Sequence, residues 1–104
     1  MQMMDLNINM AAAAARRVPL EKPPSEAVEA RMKRQQIIER QRIGGNIKKA
    51  RTEAGLSLRQ MQMRSSVHAN YLSELERGLR AATVDVLVQI AFHLNTTISA
   101  LVSE

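Results

Sequence analysis

Leu56-Ser57-Leu58-Arg59-Gln60-Met61, followed after a short interval by Val67-His68-Ala69-Asn70-Tyr71-Leu72-Ser73-Glu74-Leu75-Glu76-Arg77-Gly78, decides how this chain folds. Ser57 carries a short hydroxyl side chain suited to a helix N-cap, and Leu58 and Met61 follow at helical spacing. A helix is therefore predicted over residues 58–65 with those two side chains inward. The next residues, Ser65-Ser66-Val67-His68, are polar except for Val67, as a tight turn requires when one apolar residue tucks into the core. A second helix is predicted over residues 69–77, burying Tyr71, Leu72 and Leu75 and stopping at Gly78.

The same patterning continues on both sides. Downstream, Thr83 is placed to cap a helix with Val84, Leu87, Ile90, Ala91 and Leu94 inward, and Thr97 to cap a short last one carrying Ile98, Leu101 and Val102. Upstream, Ile43, Ile47, Ala50 and Ala54 fall at helical spacing, with Gly55 as the stop. Five short helices within roughly 60 residues make an all-α fold, close to the lower size at which a core holds without staples.

Before them lies a stretch with another character. Ser25 can cap an extra amino-terminal helix over residues 26–43, supported by good helix formers and by Glu29 and Lys33 one turn apart, and ended by Gly44-Gly45. Its apolar residues do not form one stripe: Val28 and Met32 share a face, whereas Ile37 and Ile38 point elsewhere. Two readings stay open, a solvated helix and a helix that binds a partner. Residues 1–25, a mixture of Met, Asn and Ala with Pro19 and Pro23-Pro24, are expected to form a flexible tail.

Composition narrows the classes of function. Fifteen Lys and Arg against ten Asp and Glu give a net charge of +5, which favours an acidic partner such as nucleic acid. One Phe, one Tyr and no Trp leave an aliphatic core, with the seven Met as core filler and tail residues. The absence of Cys excludes disulfides and thiolate metal sites. No apolar run approaches the roughly 18 residues of a membrane span. The Ala11–Ala15 run has Asp5 before it and Arg16-Arg17 after it, the reverse of a signal peptide's charge order, so a non-secreted, cytoplasmic protein is expected. The two histidines, His68 and His93, are far apart in sequence and have no cluster of acidic residues at metal-ligand spacing. His68 reads as a helix-capping or phosphate-facing residue and His93 as a surface one. No catalytic role, metal or cofactor is expected.

The stretches quoted at the outset, with Leu87, Ile90-Ala91 and Leu94 and the ending Ile98 to Leu101, resemble the Xre/Cro-type, phage-repressor-like helix-turn-helix family. The resemblance covers residues 41–102. With the flexible tail (1–25) and the extra helix (26–43) read above from composition, it leaves residues 44–104 as a DNA-binding domain. It also implies a transcriptional regulator that binds double-stranded DNA as a homodimer, associated with the nucleoid. The helix over residues 69–77 would lie in a major groove roughly 12 Å wide and present its outward side chains to base edges. Those side chains are Ala69, Asn70, Ser73, Glu74 and Arg77. Asn70 can pair bidentately with adenine, Glu74 can accept from a cytosine amino group, and Ala69 can touch a thymine methyl. Arg59, Arg77 and Arg80 flank that face and suit phosphate contact, as does His68. The resemblance further assigns a structural ion pair to Arg51 and Glu76, tying the first and third core helices together.

Three positions depart from the family pattern. Gln62 stands where a small residue is usual in the middle of the first motif helix, Ser66 where the turn usually has Gly, and Leu58 where many relatives carry a polar, phosphate-contacting residue. These departures keep a rival reading in view, a helix-turn-helix relative that has lost DNA contact and binds a protein instead. In either reading, residues 26–43, unless they form a solvated helix, are the stretch expected to pack across a dimer or onto a protein partner.

Overall fold

Gly44 and Gly45 do not end a helix. In the computed structural model, which describes residues 25–104, one continuous helix, α1, spans Glu26–Glu53 where the sequence predicted two. Each helical glycine costs up to about 1 kcal/mol relative to alanine. The reason Gly44 is used there is steric. A Cβ on Gly44 would stand 2.8 Å from the carbonyl oxygen of Glu76 and nearer still to that of Leu75. Gly44 is thus buried where α1 crosses another helix at close range, and strong helix formers carry the backbone through on both sides. At the start of α1, the Ser25 hydroxyl accepts from the amide of Val28 at 3.2 Å. The tail expectation for residues 1–24 lies outside the described residues.

Four shorter helices follow: α2 (Leu58–Ser65), α3 (Ala69–Glu76), α4 (Val84–His93) and α5 (Ile98–Leu101). Among the described residues the protein is all-helical. Each of the last four helices starts on a capping side chain, Ser57, His68, Thr83 and Thr97 in turn. At Ser57 the box is reciprocal: its hydroxyl accepts from the amide of Gln60, and the Gln60 side chain accepts from the amide of Ser57.

Residues 32–104 form one compact unit. Its core is aliphatic, with Ile47 of α1, Met61 of α2, Leu72 and Leu75 of α3, Ile90 of α4 and Leu101 of α5 fully buried. Val67, the one apolar residue of the turn, is buried with them. Leu58 packs half-buried against this core, which accounts for an apolar residue at that position.

One inward expectation fails, and Ala54, the last residue of the upstream helical spacing, is exposed in the turn after α1. Val84 is 68% exposed, because the core-facing row of α4 is Leu87, Ile90, Ala91 and Leu94, whereas Val84 lines up with Val88 and Phe92 in four-residue steps along its flank.

The chain's last residues are fastened to α1. Asn46 donates to the carbonyls of Leu101 and Ser103 at 2.9 and 2.7 Å. Arg42 donates to Val102 and, at 2.8 Å, to Ser103, and is itself held by Glu39. The Arg42 and Gln35 hydrogen bonds keep the Glu39 carboxyl below the usual glutamate range.

Candidate nucleic-acid interface

The junction between α2 and α3 is set by the backbone of Ser66 and by three side chains. Ser66 closes α2 in the left-handed conformation, φ 65°, its amide bonded to the Gln62 carbonyl at 3.0 Å. A serine therefore adopts here the backbone geometry for which glycine is usual. Ser65, buried, donates to the Met61 carbonyl at 2.7 Å and accepts from the amide of Val67 at 3.2 Å. His68 is the N-cap of α3, its Nδ1 accepting from the amide of Asn70 at 3.2 Å, which leaves Nε2 as the ring donor. Gln62 reaches across from α2, and its Oε1 accepts from the amide of Ala69 at 2.7 Å. Two of the α3 amides that lack intrahelical partners are thus satisfied, one by each of these last two residues. Gln62 consequently does what a smaller residue could not: it joins the two helices through a hydrogen bond.

Leu72 and Leu75 point α3 into the core, which turns Asn70 and Arg77 fully outward and leaves Ala69, Ser73 and Glu74 half-exposed beside them. Tyr71, expected inward, is half-buried at the margin of this face. Arg59 lies exposed in the first turn of α2, and His68 is exposed at the start of α3. Arg77 follows the end of α3, its Nε directed to the Ser73 carbonyl at 3.4 Å.

Beyond Arg77 the chain turns back. The amide of Gly78, at φ 75°, bonds the Leu75 carbonyl, and the amide of Leu79 bonds that of Glu74 at 2.9 Å, the paired bonds of a Schellman ending. This return brings Arg80 back over α3. Its Nε donates to Glu74 Oε1 at 3.0 Å, and its guanidinium lies over the Tyr71 ring, 5.5 Å from the centroid. Arg80 is thus held against the Tyr71 and Glu74 side of α3.

Arg51 and Glu76 hold α3 to α1 from behind. Arg51 Nε and Nη2 donate to the two carboxylate oxygens at 2.6 and 2.8 Å, and Nη1 donates to the Leu56 carbonyl at 2.7 Å. Both side chains are nearly buried, 10% and 5% exposed. Hydrogen bonding to Glu76 outweighs burial and holds the Arg51 guanidinium above its ordinary pKa.

Four links within the fold carry no signature in the sequence. The Gln62–Ala69 and Glu74–Arg80 contacts join residues at separations that no helix face would pair, and they exist only because of the turns at Ser66 and Gly78. The Arg42 and Asn46 bonds reach more than fifty residues along the chain, to carbonyls with no side-chain signature.

A short helix packed across a second, a tight turn, and a polar outward face on the second helix define a helix-turn-helix domain. The sequence profile of the helix-turn-helix family HTH_3 matches residues 47–101. The chain belongs to this Xre/Cro-like helix-turn-helix family. It is similar to a helix-turn-helix-type transcriptional regulator of Mycobacterium tuberculosis, 46% identical over 58 residues, a match covering 56% of this chain and 41% of that protein. It is also similar to one of Sinorhizobium fredii, 40% identical over 52 residues, covering 50% of this chain and 68% of the relative. The chain therefore spans less than half the length of the mycobacterial relative.

Among solved structures, the clp gene regulator ClgR from C. glutamicum superposes with a TM-score of 0.57 at 29% identity, over 60% of this chain and 80% of that one. An HTH_3 family transcriptional regulator from Vibrio cholerae gives 0.61 at 29%, over 64% of this chain and 37% of its own. The restriction-modification controller protein C.AhdI from Aeromonas hydrophila shares the fold, with a TM-score of 0.61 at 23% identity over 64% of this chain and 96% of that one. No helix among the described residues is long and apolar enough to cross a membrane.

Proposed function

We propose that this chain is a transcriptional regulator that binds double-stranded DNA sequence-specifically through the outward face of α3. The observation that carries the reading is the orientation of that helix: Leu72 and Leu75 are buried, so Asn70, Ser73, Glu74 and Arg77 project together from a helix anchored at both ends. Asn70 suits adenine, and Ala69 a thymine methyl; Arg59, Arg77 and His68 suit phosphates. The similarity to proteins described as transcriptional regulators supports the same function.

The chain acts as a homodimer on a two-fold site. The exposed apolar stripe Val84, Val88 and Phe92 on α4, and Met32, Ile37 and Ile38 on α1, supply surface for self-association or for a protein partner at residues 26–43. It is placed in the cytoplasm with the nucleoid and acts without a cofactor or enzymatic step.

Gel-shift titration of the full chain against genomic fragments and a random duplex, at two salt concentrations, tests this reading, with sedimentation for the oligomeric state. Saturable binding to some fragments, stronger than to random duplex at both salt concentrations, is expected, together with a dimer mass. Equal affinity for every fragment would remove the sequence-specific claim, and a monomer mass on DNA the dimer claim.

A further inference from the structure

Arg80 and Glu74 form a contact that the DNA-binding reading does not use. Taken separately, Glu74 suits a cytosine amino group and Arg80 a phosphate. Joined, they suit neither task well. A carboxylate that already accepts from a guanidinium presents less free negative charge to a cytosine. An arginine tied to Glu74 and held over Tyr71 is drawn in against α3 and not extended towards a flanking phosphate.

The geometry points to Arg80 as a guanine-reading residue that Glu74 and Tyr71 hold in place, an assignment that rests on the DNA-binding reading above. Three observations meet here. The ion pair uses Nε of Arg80, and no other hydrogen bond of this guanidinium occurs among the described residues, so both Nη groups stay available. Two parallel N–H donors at that end are what guanine O6 and N7 accept in the major groove. The Tyr71 ring faces the Arg80 guanidinium, 5.5 Å from centroid to Cζ, and gives it a cation–π contact on the side of α3. The Schellman turn at Gly78, whose Leu79 amide bonds Glu74 itself, fixes the backbone from which Arg80 projects. An exposed ion pair of this kind contributes little to stability, with Arg80 and Glu74 side chains 59% and 37% exposed. Its effect is to select one arginine rotamer before DNA arrives, lowering the ordering cost of the contact.

The experiment is selection of bound duplexes from a random library by the full chain, followed by titration of single-base variants of the site obtained. The proteins compared are the wild type, Arg80→Ala, Arg80→Lys, Glu74→Ala and Glu74→Gln, with thermal unfolding of each. The wild-type site is expected to contain a guanine whose replacement weakens binding roughly 10- to 100-fold. Arg80→Ala should abolish discrimination at that base pair and at no other. Glu74→Ala should reduce discrimination at the same base pair, and Glu74→Gln, which keeps an acceptor oxygen, should reduce it less. Arg80→Lys, without the planar fork, should also lose most of it. Unfolding midpoints should stay close to wild type throughout.

Uniform weakening by Arg80→Ala on all duplexes, with a shallower salt dependence, would make Arg80 a phosphate contact and overturn the assignment. Loss of discrimination by Glu74→Ala at a different base pair would make Glu74 a direct reader and overturn its positioning role. A wild type that enriches no duplex would remove the DNA-binding reading and this assignment with it, an outcome distinct from the other two.

Discussion

Gly44 of α1 lies so near the carbonyl end of α3 that an added Cβ would come within 2.8 Å of the Glu76 oxygen, whereas Gly45, its neighbour, has nothing within 4 Å of the same position. The two glycines therefore have opposite roles. Gly44→Ala pushes a methyl group into backbone carbonyls that cannot rotate away, and is expected to destabilise the domain by about 1–3 kcal/mol. Gly45→Ala, exposed within a helix, is expected to stabilise it by about 0.5–1 kcal/mol. Thermal unfolding of the two variants checks both signs.

Arg51 and Glu76 share the joint that Gly44 makes possible. Because the pair is nearly buried and bonded through both carboxylate oxygens, removing one partner leaves a charge without compensation. Arg51→Met or Glu76→Leu alone is expected to cost about 3–5 kcal/mol, and the double variant to recover much of that loss. Denaturant unfolding of the four proteins gives the coupling. Additive single effects would show that the pair does not act as a unit.

The helical class and the positions of α2 to α5 were legible in the sequence because local chemistry sets them. Ser57, Thr83 and Thr97 announce helix starts, Gly55 and Gly78 announce stops, and the spacing of Leu72, Leu75, Leu87 and Ile90 announces inward faces. What stayed hidden depends on tertiary approach. A glycine pair reads locally as a break, and only the carbonyls of Leu75 and Glu76 reveal Gly44 as a contact surface within a continuous helix. Val84 satisfies the inward period loosely but falls on the row of Val88 and Phe92. Glu74 and Arg80 look like independent outward residues until the Gly78 turn folds one over the other.

Ser66 offers a measure of how well the turn is built. In the left-handed region an L-residue carries a penalty of roughly 1–2 kcal/mol that glycine avoids, while glycine loses roughly 0.5–1 kcal/mol of backbone entropy on folding. Ser66→Gly is therefore expected to stabilise the protein by about 0.5 kcal/mol. Ser66→Val, β-branched and poorly tolerated at φ 65°, should destabilise it by about 1–2 kcal/mol. Chemical denaturation of both variants checks the order. A Val variant as stable as wild type would mean that the α2–α3 turn relaxes freely, and that α3 is less firmly oriented than its bonds suggest.

Asn70 and Arg59 are expected to separate reading from holding. Asn70 is in the first turn of α3, where its backbone amide is taken by His68 and its side chain is exposed on the outward face. Its amide group presents a donor and an acceptor together, the pair that matches adenine N7 and N6. Asn70→Ala should cost about 1–3 kcal/mol on the preferred duplex and nearly nothing on random DNA. Arg59, exposed in the first turn of α2 and off the outward face of α3, is the residue expected to contact a phosphate. Arg59→Ala should weaken preferred and random duplexes alike, and lower the slope of log affinity against log salt by about 0.9 for the one phosphate released. The backbone of α3 keeps its N-cap in the first variant and α2 keeps its capping box in the second, so neither change acts through unfolding. Gel-shift titrations at several salt concentrations, on the selected site and on random duplex, decide the matter. Equal losses for Asn70→Ala on both duplexes would place that residue on the backbone, and an unchanged salt slope for Arg59→Ala would remove it from the interface.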